Sequence, residues 1–524
     1  MTIRQAGIAA ILAFAAVALA GVWLRPLIPI DETRYLSVAW EMWTTGDWLI
    51  PHKNGAPYTD KPPLLFWIVN LVWSVTGVSE VAARLVGPAF AVLCLGGTWM
   101  LGRRLWEAET GARAAVVLAG MTVFVLYGGA TMFDTLLGFA VILGIAALHA
   151  ALTNDPATAR RSWILYGLAI ALGVYAKGPV ILVHLLPPLL AYPLWTAPGR
   201  PAPPMVARGA GLALAVALAV VALWVLPAAL FGGAEYRRMI LWEQSSGRMV
   251  SSFAHARAWW FLLATLPVLL FPWIWSPVVW RGLTGLRLSD PGLRLCLIWA
   301  GSGLVLFSLI SGKQVHYLIP ELPAAALVLS RALAGRGEGS GRTEAPGWGG
   351  IALPGALVAL GAVAAVLASA GLFGGDAALL RPVWTVLPLA ALVIAALAGL
   401  RLLPALPGLA GLGLGAALAL QALVAVTGLG PAYDSRAIAA LLAQHEAGGL
   451  AVAVPKYHAE FNFTGRLTQP VAELAAADAP AWLAAHPQGR LLGYCADAPV
   501  ATPAEAELAF NGKRWCLWAP PPAP

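Results

Sequence analysis

Carboxylates, cations and aromatic rings crowd residues 26–81. The stretch opens on Asp31-Glu32-Thr33-Arg34-Tyr35, passes Trp40, Glu41, Trp43, Asp47 and Trp48, and closes on Asn54-Gly55 and Asp60-Lys61-Pro62-Pro63. This mixture suits transfer of a group away from a phosphate. Lys or Arg holds the phosphate and stabilises the charge that develops as it leaves. A carboxylate orients or deprotonates the incoming nucleophile. Other ionisable or polar residues recur at the ends of apolar runs: Asp134, Lys177, Glu243, Arg248, His255, Arg257, Lys313, His316 and Tyr317. No Walker loop is present, so a nucleotide is not the expected source of the activated phosphate.

The elements that must position these residues are membrane helices. The chain has 524 residues, of which 60% are hydrophobic and 11% charged, against about 25% charged in soluble domains. About thirteen apolar segments approach the ~20 residues needed to cross a bilayer. They fall near 7–25, 82–102, 114–129, 134–152, 162–176, 179–197, 209–230, 258–279, 293–311, 318–334, 350–373, 383–400 and 407–430. Ala18-Leu19-Ala20 resembles a signal-peptide cleavage site, but the apolar stretch exceeds the usual roughly 7–15 residues, so the first helix is expected to be retained.

With a cytoplasmic N-terminus, alternate loops and their edges carry Arg103, Arg104 and Arg113; Arg160 and Arg161; Arg200 and Arg208; Arg281, Arg287 and Arg294; Arg331, Arg336 and Arg342; and Arg401. That placement follows the positive-inside rule. It accounts for the net charge of +8 without a nucleic-acid partner. It also puts the polar residues named above on the opposite, outer face. Ionisable groups at membrane depth are costly and read as functional. The activated phosphate is then expected to arrive on a lipid. Two helices, 34–45 and 64–77, are expected to lie on the outer face with polar turns between them.

The membrane unit is expected to cover residues 1–430, followed by a small α/β domain over 431–524 on the outer side. Residues 450–454 and 489–494 read as strands. Residues 434–446 and 470–485 read as helices, 335–348 as a flexible inner loop, and Pro521–Pro524 as a disordered end. Cys94 and Cys296 lie in apolar runs. Cys495 and Cys516 lie in the tail, where an oxidising compartment allows them to pair; two free thiols are the alternative.

Asp-Glu-x-Arg-Tyr after the first span, then Gly46-Asp47-Trp48, Asn54-Gly55 and Lys61-Pro62-Pro63-Leu64, resembles the bacterial aminoarabinose transferases. These belong to the GT-C glycosyltransferases, which also include the protein O-mannosyltransferases. Met132-Phe133-Asp134, Ala176-Lys177-Gly178-Pro179, Phe271-Pro272-Trp273 and Ser311-Gly312-Lys313 with His316-Tyr317 and Pro320 extend the resemblance, more weakly, to about residue 335. It implies an all-α polytopic GT-C fold of thirteen helices with an outer C-terminal domain. It implies a bacterial inner-membrane enzyme with its active site and C-terminal domain in the periplasm. It also implies inverting transfer from an undecaprenyl-phosphate-linked sugar to lipid A or another envelope lipid or glycan.

Carried over by position, Asp31 becomes the catalytic or acceptor-orienting carboxylate, Arg34 and Lys61 the phosphate-binding pair, and Asp134, Arg248 and Tyr317 supports of the donor pocket. Asp60 and His255 fall near family residues that touch a divalent metal (Zn, Mg or Mn), with Asp60 standing where the family usually has Glu. Plainer roles exist for each. Asp31 or Asp134 can cap a helix, Lys61 can snorkel, and Tyr317 can join an interfacial belt. A lipid or sugar transporter is the alternative from another class. It calls for internal repeats and charges near the midplane, and neither is visible. An assembly subunit that tolerates loss of Asp31 and Lys61, and a protein O-mannosylation activity, are the remaining alternatives.

Overall fold

Thr2 starts the first helix with a reciprocal cap. Its hydroxyl accepts from the Gln5 N–H, and its own N–H donates to the Gln5 side chain. This helix, α1 (Ile3–Leu24), opens a computed structural model that describes residues 2–154, 156–196, 201–240, 256–334 and 348–520. Ten helices among the described residues are long and apolar enough to cross a membrane, and the chain is a multi-pass membrane protein. The pair Ala108–Ala119 and Thr122–Gly128, bent by 73°, makes an eleventh if taken as one span.

The segments expected at 162–176 and 179–197 are the two arms of one apolar stretch, Thr158–Leu190, which folds back on itself at the expected turn Lys177-Gly178-Pro179, where the φ of Gly178 is +80°. Tyr166 Oη donates to Leu185 O at 2.9 Å; a continuous helix would hold those residues about 28 Å apart. The second arm continues to Trp195, which stacks on His149 near the far end of Phe133–Thr153. The segment expected at 258–279 is instead three short pieces, Phe261–Leu269, Trp273–Trp275 and Pro277–Leu283. Pro267, Pro272 and Pro277 remove the amide donors a continuous helix needs.

The break after Ala119 is satisfied by neighbours. The Thr122 N–H donates to Phe271 O at 3.1 Å, and its hydroxyl donates to Gly413 O at 3.0 Å. A Cβ at Gly413 would lie 1.8 Å from Gly120 O. The Gly411–Gly415 run is therefore a packing surface rather than a phosphate loop.

The two helices expected to follow the first span are present as α2 (Asp31–Thr45) and α3 (Leu64–Thr76). The Asn70 amide on α3 donates to Ala39 O on α2 at 3.0 Å, and Trp43 meets Trp73 edge to face. Between the helices, β1 (His52–Lys53) and β2 (Ala56–Pro57) pair antiparallel around Asn54-Gly55. Both turn residues have positive φ, as a tight hairpin requires.

The C-terminal domain is a five-stranded mixed sheet. Its strands are β3 (Leu450–Ala453), β4 (Ala472–Glu473), β5 (Arg490–Tyr494), β6 (Ala506–Phe510) and β7 (Lys513–Trp518), in the order β4-β3-β5-β7-β6. The first two expected strands and the helix over Arg436–His445 are present. The helix expected over 470–485 is corrected. Residues 472–473 join β3 as a parallel edge strand, with the Leu474 N–H donating to Val452 O, and helix begins only at Ala479. Pro470 and Pro480 bracket this stretch, and prolines disfavour a continuous helix there. Cys495 and Cys516 are joined in a disulfide that links the end of β5 to β7. Cys94 and Cys296 are buried free thiols. The expected inner loop at 335–347 and the end at 521–524 lie outside the described residues.

The sheet domain is latched to the hairpin between α2 and α3. Asn54 is 9% exposed and its amide serves both backbone groups of Val471, each at 2.8 Å; it also meets Glu473 and Asn462. Asn54→Ala strands those buried groups, at about 1–3 kcal/mol, and places Ala at a φ of +56°. The expected result is faster limited proteolysis between residues 427 and 435, with the membrane core still protected. Cleavage at the wild-type rate would contradict the latch.

Candidate functional site

The site is built where the first turn of α2 meets the N-terminal end of the helix Phe133–Thr153. Tyr35 lies edge-on to Phe133, ring centroids 4.9 Å apart, and Phe133 precedes Asp134. Helical spacing brings Asp31, Arg34 and Tyr35 to one face. Asp31 Oδ1 accepts from Arg34 Nη2 at 2.5 Å and from Tyr35 Oη at 3.0 Å. Burial and the adjacent carboxylate push the Tyr35 phenol up, so it keeps its proton and donates. Burial works against the Arg34 charge, but Tyr58, Tyr35 and Asp31 raise its pKa above the ordinary value, and it stays cationic. The Asp31 side chain is 38% exposed, and Arg34 only 15%. Arg34 Nε is buried without a hydrogen-bond partner among the described residues.

Glu32 faces the other way. Its carboxylate pairs with Arg25, the residue ending α1, and accepts from the Ile28 N–H at 2.9 Å and the Thr131 N–H at 2.7 Å. Arg25 also donates to Gly129 O, and Arg84 donates to Arg25 O. Glu32 thus ties α1, α2 and the 129–131 turn together, leaving Asp31 as the carboxylate turned to the site.

A second group lies on the membrane side. Asp134 is buried and pairs with Lys177 at 2.6 Å. Lys177 was expected as a loop cation or helix end, and the fold-back at Gly178 carries it here. Its ammonium also sits over the Tyr317 ring, 4.9 Å from the centroid. His316 packs against Tyr317 and Tyr127. Lys61 and His316 are within Coulombic reach of Asp134, and Asp31 within reach of His316. Of the expected residues, Asp31, Arg34, Lys61, Asp134 and Tyr317 therefore converge. Arg248 and His255 lie outside the described residues.

Asp60 is half-buried, and His458 of the C-terminal domain lies within its Coulombic reach. One carboxylate and one imidazole are fewer than the three protein ligands of a catalytic zinc. His255, the other residue expected at a metal, lies outside the described residues. The cluster of Cys495, Glu507 and Cys516 is no candidate either, because its two sulfurs are bonded to each other.

Sequence reasoning missed the third wall. The loop after β3 reaches down to α2 and β1. Ser37 Oγ donates to Ala459 O at 2.6 Å, and Lys53 Nζ donates to Tyr457 O at 2.8 Å. This brings His458, Lys456 and Glu460 beside Arg34 and Lys53. Burial, with the Arg34, Lys456 and Lys53 charges, pushes His458 down to about 4, so its ring is neutral at pH 7. His184 is fully buried against Glu321 at 2.5 Å, a packing position.

Residues 60–226 match the family model described as dolichyl-phosphate-mannose-protein mannosyltransferase. Over 350 residues, 66% of this chain, the sequence is 33% identical to the undecaprenyl phosphate-alpha-4-amino-4-deoxy-L-arabinose arabinosyl transferase of Pseudomonas paraeruginosa. The match spans 61% of that relative's length. A Pseudomonas fluorescens protein of the same description is 30% identical over 60% of this chain and 56% of its own. ArnT from Cupriavidus metallidurans superposes over 97% of both chains, with a TM-score of 0.75 and 21% identity in the apo state, and 0.73 and 20% bound to undecaprenyl phosphate. The two chains share a fold.

Proposed function

For a chain of the aminoarabinose transferase-like GT-C group, related to the protein mannosyltransferases, we propose transfer of a sugar from a polyprenyl-phosphate carrier to a lipid or glycan acceptor. The reaction takes place on the outer, periplasmic face of a bacterial inner membrane, in a chain that crosses it thirteen times. The relatives' named activity and the lipid phosphate bound by the Cupriavidus protein support this reading. The observation that carries it is Asp31, a part-exposed carboxylate in contact with Arg34 and within reach of the Lys61, Asp134, Lys177 and His316 group.

The carrier enters from the bilayer, and Lys61 and Arg34 hold its phosphate. Asp134, Lys177 and Tyr317 fix the floor against which the sugar rests. Asp31 faces the anomeric carbon and orients the acceptor oxygen. That oxygen forms the new bond as the sugar–phosphate bond breaks, with inversion. The bonding pair goes to the carrier phosphate, where the cations stabilise it. A phosphate acceptor needs no base; a hydroxyl acceptor gives its proton to Asp31.

The phosphate assignment is tested by lipid binding. Undecaprenyl phosphate is expected to raise the melting temperature of the purified protein, and undecaprenol is not. Lys61→Ala is expected to weaken undecaprenyl phosphate binding about 10–100-fold, as loss of a charge-assisted contact should. Equal binding of the phosphorylated and neutral lipids would overturn it.

A further inference from the structure

Two buried ionisable side chains take no part in the transfer chemistry above. His184 lies in Ile181–Leu190, the returning arm of the fold-back, and Glu321 ends the short 3-10 helix Val315–Glu321. They are 0% and 4% exposed, in apolar stretches long enough to cross a membrane. His184 Nδ1 lies 2.5 Å from Glu321 Oε1. The other two polar atoms, His184 Nε2 and Glu321 Oε2, are buried without a hydrogen-bond partner among the described residues. Removing such groups from water is costly, and apolar residues of similar volume are often at least as stable in their place. Ionisable residues at this depth therefore call for a functional account.

Contacts join the pair to the site. The His184 ring packs on Phe307 of the helix Pro291–Leu309, centroids 5.4 Å apart, and Phe307 packs on Tyr317 at 5.8 Å. Tyr317 carries the Lys177 ammonium over its ring, and Lys177 pairs with Asp134. Lys177 and His184 flank the Gly178 turn, and Tyr317 and Glu321 share one short helix. The fold-back and that helix thus meet twice, at the site as Lys177 on Tyr317 and away from it as His184 on Glu321. Two such points fix the register of one segment on the other, where a single cation–ring contact leaves it free. The helix Pro291–Leu309 leaves room for the second point. A Cβ at Gly303 would fall 2.1 Å from Glu321 Oε1.

We propose that His184 and Glu321 are positioning residues. Their hydrogen bond fixes the returning arm of the fold-back on Val315–Glu321, and so sets how Lys177 and Tyr317 present the floor of the sugar pocket. This rests on the transfer reading above and adds to it two residues that touch neither sugar nor phosphate. A hydrogen bond is directional, whereas apolar burial is not. Leucines in both places would therefore preserve the fold and lose the register.

The test follows sugar transfer by the full-length protein in proteoliposomes, with the undecaprenyl-phosphate sugar that wild type turns over fastest and an envelope lipid extract. The double variant His184→Leu with Glu321→Leu is expected to melt near wild type. It should bind undecaprenyl phosphate equally well, because Lys61 and Arg34 hold that group. Its kcat is expected to fall about 10–100-fold, as a displacement of about 1 Å can cause, with the KM for the donor little changed. Glu321→Gln keeps an oxygen that accepts from Nδ1, and is expected to retain turnover within about threefold. Gly303→Ala leaves both residues in place but pushes the carboxylate aside, and is expected to lower kcat in the same direction. Wild-type turnover in the double variant reduces the pair to packing and overturns the proposal. Glu321→Gln as slow as the double variant overturns it too, by assigning the loss to charge. If the double variant does not accumulate, Gly303→Ala decides in its place, and wild-type turnover there overturns the proposal. Absence of transfer by wild type sinks the parent reading and this one together; an active wild type with equally active variants sinks this one alone.

Discussion

Asp31→Asn is expected to slow sugar transfer roughly 10³-fold while leaving undecaprenyl phosphate binding near the wild-type level. The exchange keeps the size of the side chain and an oxygen to accept from Arg34 and Tyr35, so α2 should hold its place. It removes the charge that orients the acceptor and, for a hydroxyl acceptor, the site for its proton. The loss should therefore appear in kcat, with the KM for the donor little changed. Single-turnover measurements with saturating donor separate the two. Wild-type turnover in the Asp31→Asn variant would reduce Asp31 to an acidic residue in the first turn of α2 that favours the helix dipole.

Glu32→Ala, one residue along, is expected to fail differently. It leaves Arg25 buried without its carboxylate, removes a charge near Arg84 (which keeps its pair with Glu80), and takes the acceptor from the Thr131 and Ile28 amides. Breaking a buried ion pair in this way costs about 3–5 kcal/mol. The variant should melt well below wild type or fail to accumulate. Burial alone would raise the Glu32 pKa. The Arg25 charge, then Arg84 and the Thr131 N–H, outweigh burial and hold it at about 2 against an ordinary 4.5. A depressed carboxylate pKa stabilises the fold above the unfolded value and stops doing so as pH falls through the folded one. That contribution, about 3 kcal/mol, is complete at neutral pH and is lost between pH 4.5 and about 2. Melting temperature followed over that window should fall in wild type more steeply than in Glu32→Gln. Parallel curves would contradict the assignment.

What the sequence revealed and concealed follows from the range of the interactions. Apolar runs report burial in lipid residue by residue, so most membrane helices and both outer-face helices could be read directly. Asp31, Arg34, Lys61, Asp134 and Tyr317 could be named because apolar segments between them fix which face each reaches. The turn at Lys177-Gly178-Pro179 was legible because it interrupts two apolar runs, and the Tyr166–Leu185 contact packs those runs side by side. The three-piece segment at 261–283 looks like an ordinary span in hydropathy, and only its prolines distinguish it. Residues 470–485 were misread because an alanine-rich stretch favours helix locally, while pairing of 472–473 with β3 is a tertiary choice. The placement of Lys456 and His458 beside Arg34 and Lys53 was not legible at all. It depends on contacts such as Lys53–Tyr457 and Ser37–Ala459 that join residues about 400 positions apart, and no local pattern encodes such a pairing.

A transferase cleaves the lipid-linked sugar at its site, whereas a transporter moves it intact. The most direct measurement places wild type and Asp31→Asn in proteoliposomes with a panel of undecaprenyl-phosphate sugars and an envelope lipid extract. Free undecaprenyl phosphate and sugar-modified acceptor are then quantified together. The expected result is equal amounts of both products from wild type with at least one donor, and almost none from the variant. Intact donor appearing in the opposite leaflet without either product, or equal yields from the two proteins, would contradict it.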